Sequence, residues 1–471
     1  MLEYGAIVIG GGVSGLTSAL LLARRGYTTA VLEASGALMP LVRGFEREGV
    51  RFETGFHYTF GLGEGDIGPY LFQELGLDIQ SYPLPGDGYD EIHLPSGRVF
   101  KMAYGRDRLE ENLVRAFPDE KAGIRTYLDR TEAAIHASDF LNLHKNKNAG
   151  FDAAADTGET LRDVLDEVFT SGEIKSVFAA AAALHGTPPS KVSFQKHSCM
   201  VGGLFSGAYG IAGGGTSILR AYEAALAKAG VHVYLGAEAA SIRVSDENGK
   251  KHITANGKTF TCDICVASVH PKRFLEIAPE NVYREGYKAR MREREETPGI
   301  FAVYGVLNAK TRFSAGNIFL VTGSGLDAMY VMSGGSRSYS IILSETSPQA
   351  VIILSFVPPD EAMWDRNAPE YTEKKNAYAA GVRADIQRLL PELAENIEYL
   401  SVSTPASSYR FVGYYGGYGI MHDVSKTELL PVTKINGLYL TGQAVATPGF
   451  FGAISASIIV DRVAGKATRP M

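Results

Sequence analysis

Hydrophobic residues at the start of the chain follow two different periods in succession. Ala6–Ile9 is a short continuous apolar run, which is typical of a strand covered on both faces. Apolar residues then recur at helical spacing over residues 16–23, and Gly26 ends that pattern. A second strand-like run, Thr28–Glu33, follows it. The pattern therefore predicts a strand–helix–strand unit at this end of the chain.

Farther along, the periodicity divides the chain into helical and strand-rich segments. Residues 107–183 carry helical patterns with few strand signals. Residues 298–356 alternate aromatic and β-branched residues, which predicts the strands of a large sheet, the run "AMYVMSG" among them. A helix is expected over residues 369–390, where Pro391 breaks it. We find no internal repeat.

Three local signals complete the pattern. A glycine turn with Thr216 as the predicted N-cap precedes an amphipathic helix and a strand that ends at Gly236. Asn256-Gly257 lies between two strand-like runs, which predicts a β-hairpin. Near the end of the chain, Leu438–Thr441 reads as a short buried strand, and Gly449–Gly452 leads into an apolar helix.

Composition narrows the class of protein. The chain has 471 residues and a net charge of −6, so the global charge does not favour a nucleic-acid partner. No apolar run approaches the roughly 18 to 20 residues of a membrane span, and the first residues do not resemble a signal peptide. Three cysteines in this length indicate a protein that does not depend on disulfides. We therefore expect a cytoplasmic protein.

Two of the cysteines form a CxxC motif, Cys262 and Cys265, which raises the question of metal or redox chemistry. The context "KTFTCDICVASV" reads as a strand with Phe260, Cys262, Ile264 and Val266 on one side, so the two cysteines are expected on opposite faces. A zinc site needs two further ligands at suitable spacing. The sequence therefore predicts a structural pair and no metal site.

The glycines after the first strand carry the clearest chemistry. Gly10, Gly12 and Gly15 form G-x-G-x-x-G, and Glu33 ends the second strand. In this pattern the first glycine allows a sharp turn, the second leaves room for a pyrophosphate, and the third lets the helix pack closely on the strand. Helix N–H groups then face the anion, and the acid can bind ribose hydroxyls. This combination predicts dinucleotide binding.

The order of the later segments favours FAD over NAD. After Glu33 the chain enters a glycine-rich aromatic stretch, Arg51–Tyr70, rather than continuing the alternation of strands and helices. We predict an α/β protein with a Rossmann-type FAD-binding domain assembled from discontinuous segments, plus a mixed-sheet substrate domain with a helical cap. The predicted boundaries are 1–65, 205–290 and 432–471 for the FAD-binding domain, and 66–204 (largely helical) with 291–431 for the substrate-binding domain.

Four blocks give the chain a family resemblance over nearly its full length. They are the N-terminal glycine motif, "FETGFHY", "LHGTPPSKVSF" continuing to "YGIAGGGTSI", and "STPASSYRFVGYYGGYG" with "GLYLTGQAVATPGFFGAISAS". The sequence resembles the phytoene desaturase, carotenoid isomerase and retinol saturase group of FAD-dependent oxidoreductases, which share the amine-oxidase type of flavoprotein fold. The third block and "LYLTGQ" look most like the retinol saturase branch.

The resemblance implies an FAD cofactor and a set of residues that hold it. The ADP half would lie on the glycine motif and Glu33, the adenine near Ala239, and the flavin near the start of the last helix. The implied cofactor-binding residues are Gly10, Gly12, Val13, Ser14, Gly15, Glu33, Ala34, Arg43, Ala239, Gly442, Gln443, Phe451, Gly452 and Ala453.

The chain departs from this family at one loop. In members of this family, a diglycine and a basic residue usually come after the ribose-binding acid. At the equivalent positions this chain has Met39-Pro40, and Arg43 comes farther on. Proline lacks an N–H and has a fixed φ, so we expect the hydrogen bonding of this loop to differ.

The resemblance also implies chemistry on a hydrophobic polyene or isoprenoid, by saturation, desaturation or isomerisation. His57, Tyr58 and Tyr418 are the candidate proton donors in the glycine-rich blocks, with Arg410 as a candidate positioning cation. Two alternatives stay open: a flavin amine oxidase, for which Trp364 would be the one tryptophan available to an aromatic cage, and a non-catalytic prenyl-lipid-binding relative. A peripheral membrane contact for substrate uptake is compatible with the sequence, which leaves the oligomeric state open.

Overall fold

The structure is a computed structural model that describes residues 1–139, 141–143, 145, 158–308, 313, 316–332, 337–344, 349–424, 429–445 and 448–467. Its strands are β1 (Leu2–Ile9), β2 (Thr29–Glu33), β3 (Phe45–Arg47), β4 (Val50–Phe52), β5 (Tyr58–Thr59), β6 (Ser81–Pro83), β7 (Asp90–His93), β8 (Val99–Met102), β9 (Tyr209–Ile211), β10 (His232–Leu235), β11 (Ala239–Val244), β12 (Lys251–Ala255), β13 (Lys258–Ala267), β14 (Gly299–Leu307), β15 (Asn317–Leu320), β16 (Tyr339–Leu343), β17 (Ala350–Val357), β18 (Ile397–Ser403) and β19 (Leu438–Leu440).

The α-helices connect and cover these strands. They are α1 (Val13–Arg24), α2 (Ile67–Leu75), α3 (Arg106–Ala116), α4 (Lys121–Ala137), α5 (Leu161–Val168), α6 (Gly172–Ala180), α7 (Phe194–Val201), α8 (Gly214–Lys228), α9 (Pro271–Ile277), α10 (Glu285–Glu293), α11 (Glu361–Trp364), α12 (Tyr371–Leu389), α13 (Pro391–Asn396), α14 (Pro405–Val412) and α15 (Phe450–Ala467).

The first large sheet is assembled from three separated stretches of chain. Its order is β10-β2-β1-β13-β12-β11, with β19 beside the carboxyl half of β13. The pairings among β10, β2, β1, β13 and β19 are parallel, whereas β12 pairs antiparallel with both of its neighbours. Apolar residues of α1, α8 and α15 pack on one face and those of α9 and α10 on the other. Burial on both faces explains the continuous apolar runs of β1 and β2.

The second large sheet has the order β18-β14-β17-β16-β15-β7-β8. Its pairings are antiparallel except between β7 and β15. Alternate residues of β15 face opposite cores: Phe319 packs with the helical segment α3–α7, whereas Ile318 and Leu320 pack with α12 and α13. The predicted fold class, a discontinuous Rossmann-type unit with a mixed-sheet unit and a helical cap, is confirmed.

Some local predictions are confirmed, and three are wrong. The hairpin at Asn256-Gly257 is present, since both residues have positive φ between β12 and β13. Thr216 is not an N-cap: α8 begins two residues earlier, and the Thr216 hydroxyl donates instead to the carbonyl oxygen of Arg43. The strand predicted over "AMYVMSG" is not present in residues 328–332, because Ala328–Tyr330 is a short 3-10 helix packed against the helical segment, and residues 333 and 334 lie outside the described part of the chain.

The prediction that Cys262 and Cys265 face opposite sides is also wrong. Both thiols are buried in the same core, while Ile264 and Val266 pack in the other. The strand β13 pairs with β12 up to Cys262 and with β19 from Cys265. Between these two residues, at Asp263, the alternation of side chains between the two faces of the sheet shifts by one residue. Burial raises the pKa of the Cys262 thiol well above its ordinary value, as expected for a structural cysteine.

Candidate functional site

The glycine motif lies where the carboxyl ends of the parallel strands meet. Gly10 has φ 108°, and a Cβ there would overlap the carbonyl oxygen of Ser268, which follows β13. A Cβ on Gly15 would overlap the carbonyl oxygen of Gly10, so the start of α1 requires glycine to pack on β1. A Cβ on Gly12 would meet no protein atom within 4 Å. The space in front of Gly12 is therefore open to a ligand, as a pyrophosphate site requires.

Glu33 lies at the tip of β2 and faces this turn. Its Oε2 accepts from the N–H of Gly11 at 2.6 Å, and its Oε1 accepts from the N–H of Ser35 at 2.7 Å. The loop after β10 closes over the same point, since the N–H of Ala237 donates to the carbonyl oxygen of Glu33 at 2.8 Å. Ala34 is exposed, and Ala239 is buried where β11 begins. These residues form the wall on which the predicted adenosine would lie.

In the loop that carries Met39-Pro40, Met39 adopts a positive φ, a backbone conformation that usually favours glycine. Met39 is buried with φ 51°, its N–H donates to the carbonyl oxygen of Gly11, and its own carbonyl oxygen accepts from Arg43. The loop packs against the start of α8, where a Cβ on Gly215 would overlap the carbonyl oxygen of Val42. The glycines of "AGGGTS" therefore serve close packing between this loop and α8.

The carboxy-terminal helix meets α1 beside the glycine motif. The hydroxyl of Ser457 in α15 donates to the carbonyl oxygen of Ser14 in the first turn of α1 at 2.7 Å. Val13 and Ser14 are both buried. Gly442 follows β19 with φ 121°, at the same edge of the sheet. The carboxyl ends of β1, β2, β13 and β19 thus meet at one edge of the sheet, where the ligand-binding crevice of an open α/β sheet usually lies.

The first turn of α15 is covered by the segment that contains His57 and Tyr58. Phe56 packs on Phe450 with ring centroids 5.2 Å apart, and Phe60 lies 6.2 Å from Phe451 in the same measure. Within that turn Phe451 and Gly452 are buried and Ala453 is partly buried. The predicted flavin end and two of the three predicted proton donors therefore lie in one region.

His57 and Tyr58 belong to a polar network centred on Asn317. Asn317 Oδ1 accepts from His57 Nε2 at 2.8 Å, while its Nδ2 donates to the Tyr58 hydroxyl at 2.7 Å and to Asp90 Oδ1 at 3.1 Å. Tyr58 in turn donates to Asp90 Oδ2 at 2.6 Å. Asp90 and Asn317 are register neighbours at the start of the parallel strands β7 and β15. The second sheet thus supplies half of this network.

Burial sets the protonation states within the network. Desolvation lowers the pKa of His57 to about 4, although the hydrogen bond that His57 donates to Asn317 favours the charged form of the imidazole. Desolvation raises the pKa of Asp90 to about 7, although bonds from Tyr58 and Asn317 favour the carboxylate. Asp90 is therefore the group of this network that exchanges a proton near neutral pH, whereas His57 is a neutral imidazole there.

Tyr418 occupies a different position from Tyr58. Its hydroxyl donates to the carbonyl oxygen of Ala183 at 3.1 Å, and its carbonyl oxygen accepts from Gln443 Nε2 at 2.9 Å. Burial raises the pKa of Tyr418 to about 12. Arg410, the predicted positioning cation, is exposed on α14 with its guanidinium over the ring of Phe411, so the prediction for Arg410 finds no support in its position.

Sequence reasoning missed Asp90 and Asn317. Neither residue belongs to a recognisable motif, and a register between β7 and β15 brings them together. Among the described residues, no group of three or more His, Cys, Asp or Glu side chains is arranged to hold a metal ion. No helix in the described part of the chain is both long and apolar enough to cross a membrane.

Comparisons with known proteins identify the family. The family described as flavin containing amine oxidoreductase matches residues 13–459. The all-trans-retinol 13,14-reductase of Rattus norvegicus is 23% identical over 96% of this chain and 84% of its own. Prolycopene isomerase 2 of an Oncidium hybrid cultivar is also 23% identical, over 96% of this chain and 83% of its own.

A solved structure shows that the fold of this chain is also shared by a known oxidoreductase. An oxidoreductase from Methanosarcina mazei superposes with a TM-score of 0.69 at 14% identity, over 98% of this chain and 100% of that one. The predicted resemblance and cofactor are confirmed. The chain belongs to the flavin containing amine oxidoreductase family and is an FAD-dependent flavoprotein.

Proposed function

We propose that this protein is an FAD-dependent oxidoreductase that acts on carbon–carbon bonds of a hydrophobic polyene or isoprenoid, by saturation, desaturation or isomerisation. The observation that carries the proposal is the similarity over nearly the full length to relatives named as a retinol reductase and a prolycopene isomerase. The apolar surroundings of the candidate site agree with a polyene substrate. Tyr58, Phe60 and Tyr418 pack against the same apolar core of the helical segment, which suits a polyene more than a polar substrate.

The crevice at the first sheet suits the ADP half of FAD. Gly10 and Gly15 permit the turn and the helix contact, while Gly12 leaves the space that a diphosphate would use. Val13 and Ser14 supply N–H groups of the first turn of α1, and Glu33 supplies carboxylate oxygens for the ribose. Further residues of this proposed half are Ala34, Arg43 and Ala239.

The flavin end of the cofactor is assigned to the start of α15. Gly442 and Gln443 form the loop after β19, and Phe451, Gly452 and Ala453 form the first turn of the helix. The positive end of this helix would favour negative charge on a neighbouring group. When bound, the flavin supplies hydride transfer, and the protein supplies orientation, exclusion of water and a proton.

The network around Asn317 is our candidate for the source of the proton. Asp90 holds a proton near neutral pH, and its neighbour Tyr58 can pass a proton on through the hydroxyl that bonds Asp90. His57 is neutral at that pH and holds Asn317 in one orientation. Tyr58 is therefore the favoured proton donor, His57 a positioning residue, and Tyr418 the less favoured donor.

The two alternative functions have less support. Trp364 is buried against Phe301, and its Nε1 donates to the carbonyl oxygen of Pro358, so it does not line the crevice as a cage for an amine would require. A non-catalytic lipid-binding relative would have no use for an open space at Gly12 or for an acid at the end of β2. The predicted domain boundaries, the cytoplasmic location and the peripheral membrane contact stay predictions.

One comparison of substrates tests the proposal. The FAD-loaded protein is incubated without oxygen with all-trans-retinol plus a chemical reductant, with prolycopene, and with a panel of primary amines, and the products are separated by chromatography. We expect a changed double-bond pattern in one of the polyenes. Reduction of the flavin by an amine, with no change in either polyene, would overturn the proposal.

A further inference from the structure

A surface cleft of about 830 Å³ lies between the β3–β4 hairpin and α12. Its lining comes from three elements: residues 45–47 of β3, one side of α12, and residues 400–402 of β18. The described lining residues include none of those assigned to FAD or to the network around Asn317. The volume is in the range of ligand-binding clefts. The cleft is therefore a second site that the proposed chemistry does not use.

Two strands present their edges, rather than their faces, to this cleft. Successive side chains of a strand point to opposite faces, so one face contributes only alternate residues to a cavity. Here three successive residues of β3 and three of β18 line the cleft. Each strand is also the last one of its sheet, since β3 pairs only with β4, and β18 only with β14. The outer edges of β3 and β18 therefore face the same space.

The backbone on these two outer edges has no partner in the described part of the chain. The backbone hydrogen bonds of Phe45–Arg47 and of Ile397–Ser403 are those of the pairings with β4 and β14, and no other described segment bonds to them. An unpaired strand edge is a template for a further strand. An extended segment in the cleft can thus form main-chain hydrogen bonds along β18, with β3 on its other side.

The floor of the cleft is apolar. Phe45 and Leu400 both pack against the buried cluster that contains Phe52 and Tyr304. The ring centroid of Phe45 lies 5.0 Å from that of Tyr304 and 5.5 Å from that of Phe52. These contacts hold β3 against the second sheet. The apolar side chains on one face of an added strand would cover this floor.

Positive charge is in excess around the cleft. Arg47, Lys375 and Arg383 line it, against one carboxylate, that of Glu46. The ammonium of Lys375 and the guanidinium of Arg383 each lie over a tyrosine ring, at 5.8 Å and 4.6 Å from its centroid, and neither forms an ion pair with a described residue. The whole chain has a net charge of −6, so this local excess runs against the global charge. It favours an acidic ligand.

The two cations of α12 have a spacing that an extended acidic segment can match. Lys375 and Arg383 are eight residues apart on this helix, which is about 12 Å along its axis. Side chains four residues apart on one face of a strand are separated by about 13 Å. Acidic residues at positions i and i+4 of an extended segment would therefore pair with the two cations, while the residues of its other face would cover the apolar floor.

We propose that this cleft binds an extended acidic segment of a partner protein as an added strand along β18. Main-chain hydrogen bonds to the edge of β18 supply affinity, and ion pairs with Lys375 and Arg383 select acidic side chains. The site is a partner-binding surface, and it is independent of the substrate on which the enzyme acts.

Short peptides test this mode of binding to the FAD-loaded protein. The probe is the fluorescein-labelled peptide TEVTVEVT, which has two glutamates four residues apart on one face and valines on the other. The peptide TQVTVQVT removes both charges, whereas TEVPVEVT keeps the charges but lacks an N–H near its centre. Fluorescence anisotropy measures the affinity, and hydrogen exchange of the Ile397–Ser403 amides shows whether the peptide lies along β18.

The matched variants are the double substitution Lys375→Gln with Arg383→Gln, and the control Lys374→Gln, at an exposed lysine of α12 outside the cleft. All are surface changes, so we expect melting temperatures within about 2 °C of wild type. Wild type and the control should bind TEVTVEVT at least about fivefold more tightly than either altered peptide. The double variant should lose about fivefold in affinity for TEVTVEVT. Bound peptide should slow exchange over Ile397–Ser403.

Four results would overturn the proposal. Equal binding of TEVPVEVT would indicate an anion site without strand pairing. Unchanged binding by the double variant, or unchanged exchange over Ile397–Ser403, would place the peptide elsewhere. Absence of binding by wild type at about 1 mM peptide would show that the cleft takes no acidic strand. A dimer of the free protein in light scattering that the double variant does not form would assign the cleft to a second copy of this chain.

Discussion

The imidazole of His57 donates from Nε2 to the side-chain oxygen of Asn317 at 2.8 Å, although 260 positions separate the two residues. This bond joins the segment that covers α15 to the start of β15 in the second sheet. It also determines the orientation of the Asn317 amide, whose nitrogen then faces Tyr58 and Asp90. One amide therefore connects the region assigned to the flavin with the acid that holds a proton near neutral pH.

Replacing Asn317 with leucine should destabilise the protein strongly. The substitution removes the side-chain hydrogen bonds to His57, Tyr58 and Asp90 and leaves their polar atoms buried. We expect a loss of about 3 kcal/mol in the free energy of unfolding, measured by urea denaturation. Asn367→Ala, at an exposed site, is the control and should change it by less than about 0.5 kcal/mol. Equal effects of the two substitutions would contradict the network.

The Asp90 carboxyl should make stability depend on pH. Its folded pKa, about 7, lies above the ordinary value of 3.8, so its contribution to stability is complete below pH 3.8 and is lost as the pH rises through 7. Asp90→Asn removes that loss. We therefore expect the stability of the variant relative to wild type to increase between pH 5 and pH 8, on the order of 2–4 kcal/mol.

Urea denaturation of both proteins at several pH values measures this difference. His57 titrates in the opposite sense, because its folded pKa is lowered to about 4 and its contribution is lost as the pH falls through that value. It is present in both proteins, so its effect cancels in the difference. A difference that stays constant with pH would show that Asp90 is ionised throughout.

The substitutions Gly12→Ala and Gly15→Ala should distinguish an effect on FAD affinity from an effect on the stability of the apoprotein. A Cβ at Gly12 meets no protein atom, so Gly12→Ala should leave the melting temperature of the apoprotein within about 2 °C. The same methyl group would occupy the space proposed for the diphosphate, and FAD affinity should fall at least about tenfold. Gly15→Ala should instead lower the stability of the apoprotein, because its Cβ overlaps the carbonyl oxygen of Gly10. Unchanged FAD binding by Gly12→Ala in calorimetry would place the diphosphate elsewhere.

Phenylalanine at the two candidate tyrosines should distinguish their roles. Tyr58→Phe removes the hydroxyl that bonds Asp90, and we expect the rate of polyene conversion to fall about 100-fold, as for loss of a general acid. Tyr418→Phe loses only a bond to the carbonyl oxygen of Ala183 and should reduce the rate less than about threefold. Single-turnover product formation, with the FAD content of each variant matched, measures both. The reverse order of effects would make Tyr418 the donor.

The local sequence pattern was sufficient to predict the elements that we propose lie nearest the cofactor. The glycine motif, the acid of β2 and the helix that follows Gly449 could each be predicted, because strand burial, tight turns and helical spacing are encoded over a few neighbouring residues. The hairpin at Asn256-Gly257 belongs to the same class. The errors occurred where a longer-range contact overrode a local preference: at Thr216, which bonds the Arg43 loop, and at Cys262 and Cys265, where β13 exchanges one partner strand for another.

The sequence by itself determined the family, the cofactor and the segments that carry His57 and Tyr58. Only the tertiary structure decided what those side chains can do. Asp90 and Asn317 become neighbours through the parallel register of β7 and β15, and that register depends on the packing of the whole sheet rather than on any short motif. Burial then moves the proton affinities of Asp90 and His57 in opposite senses, because desolvation disfavours the charged form of each.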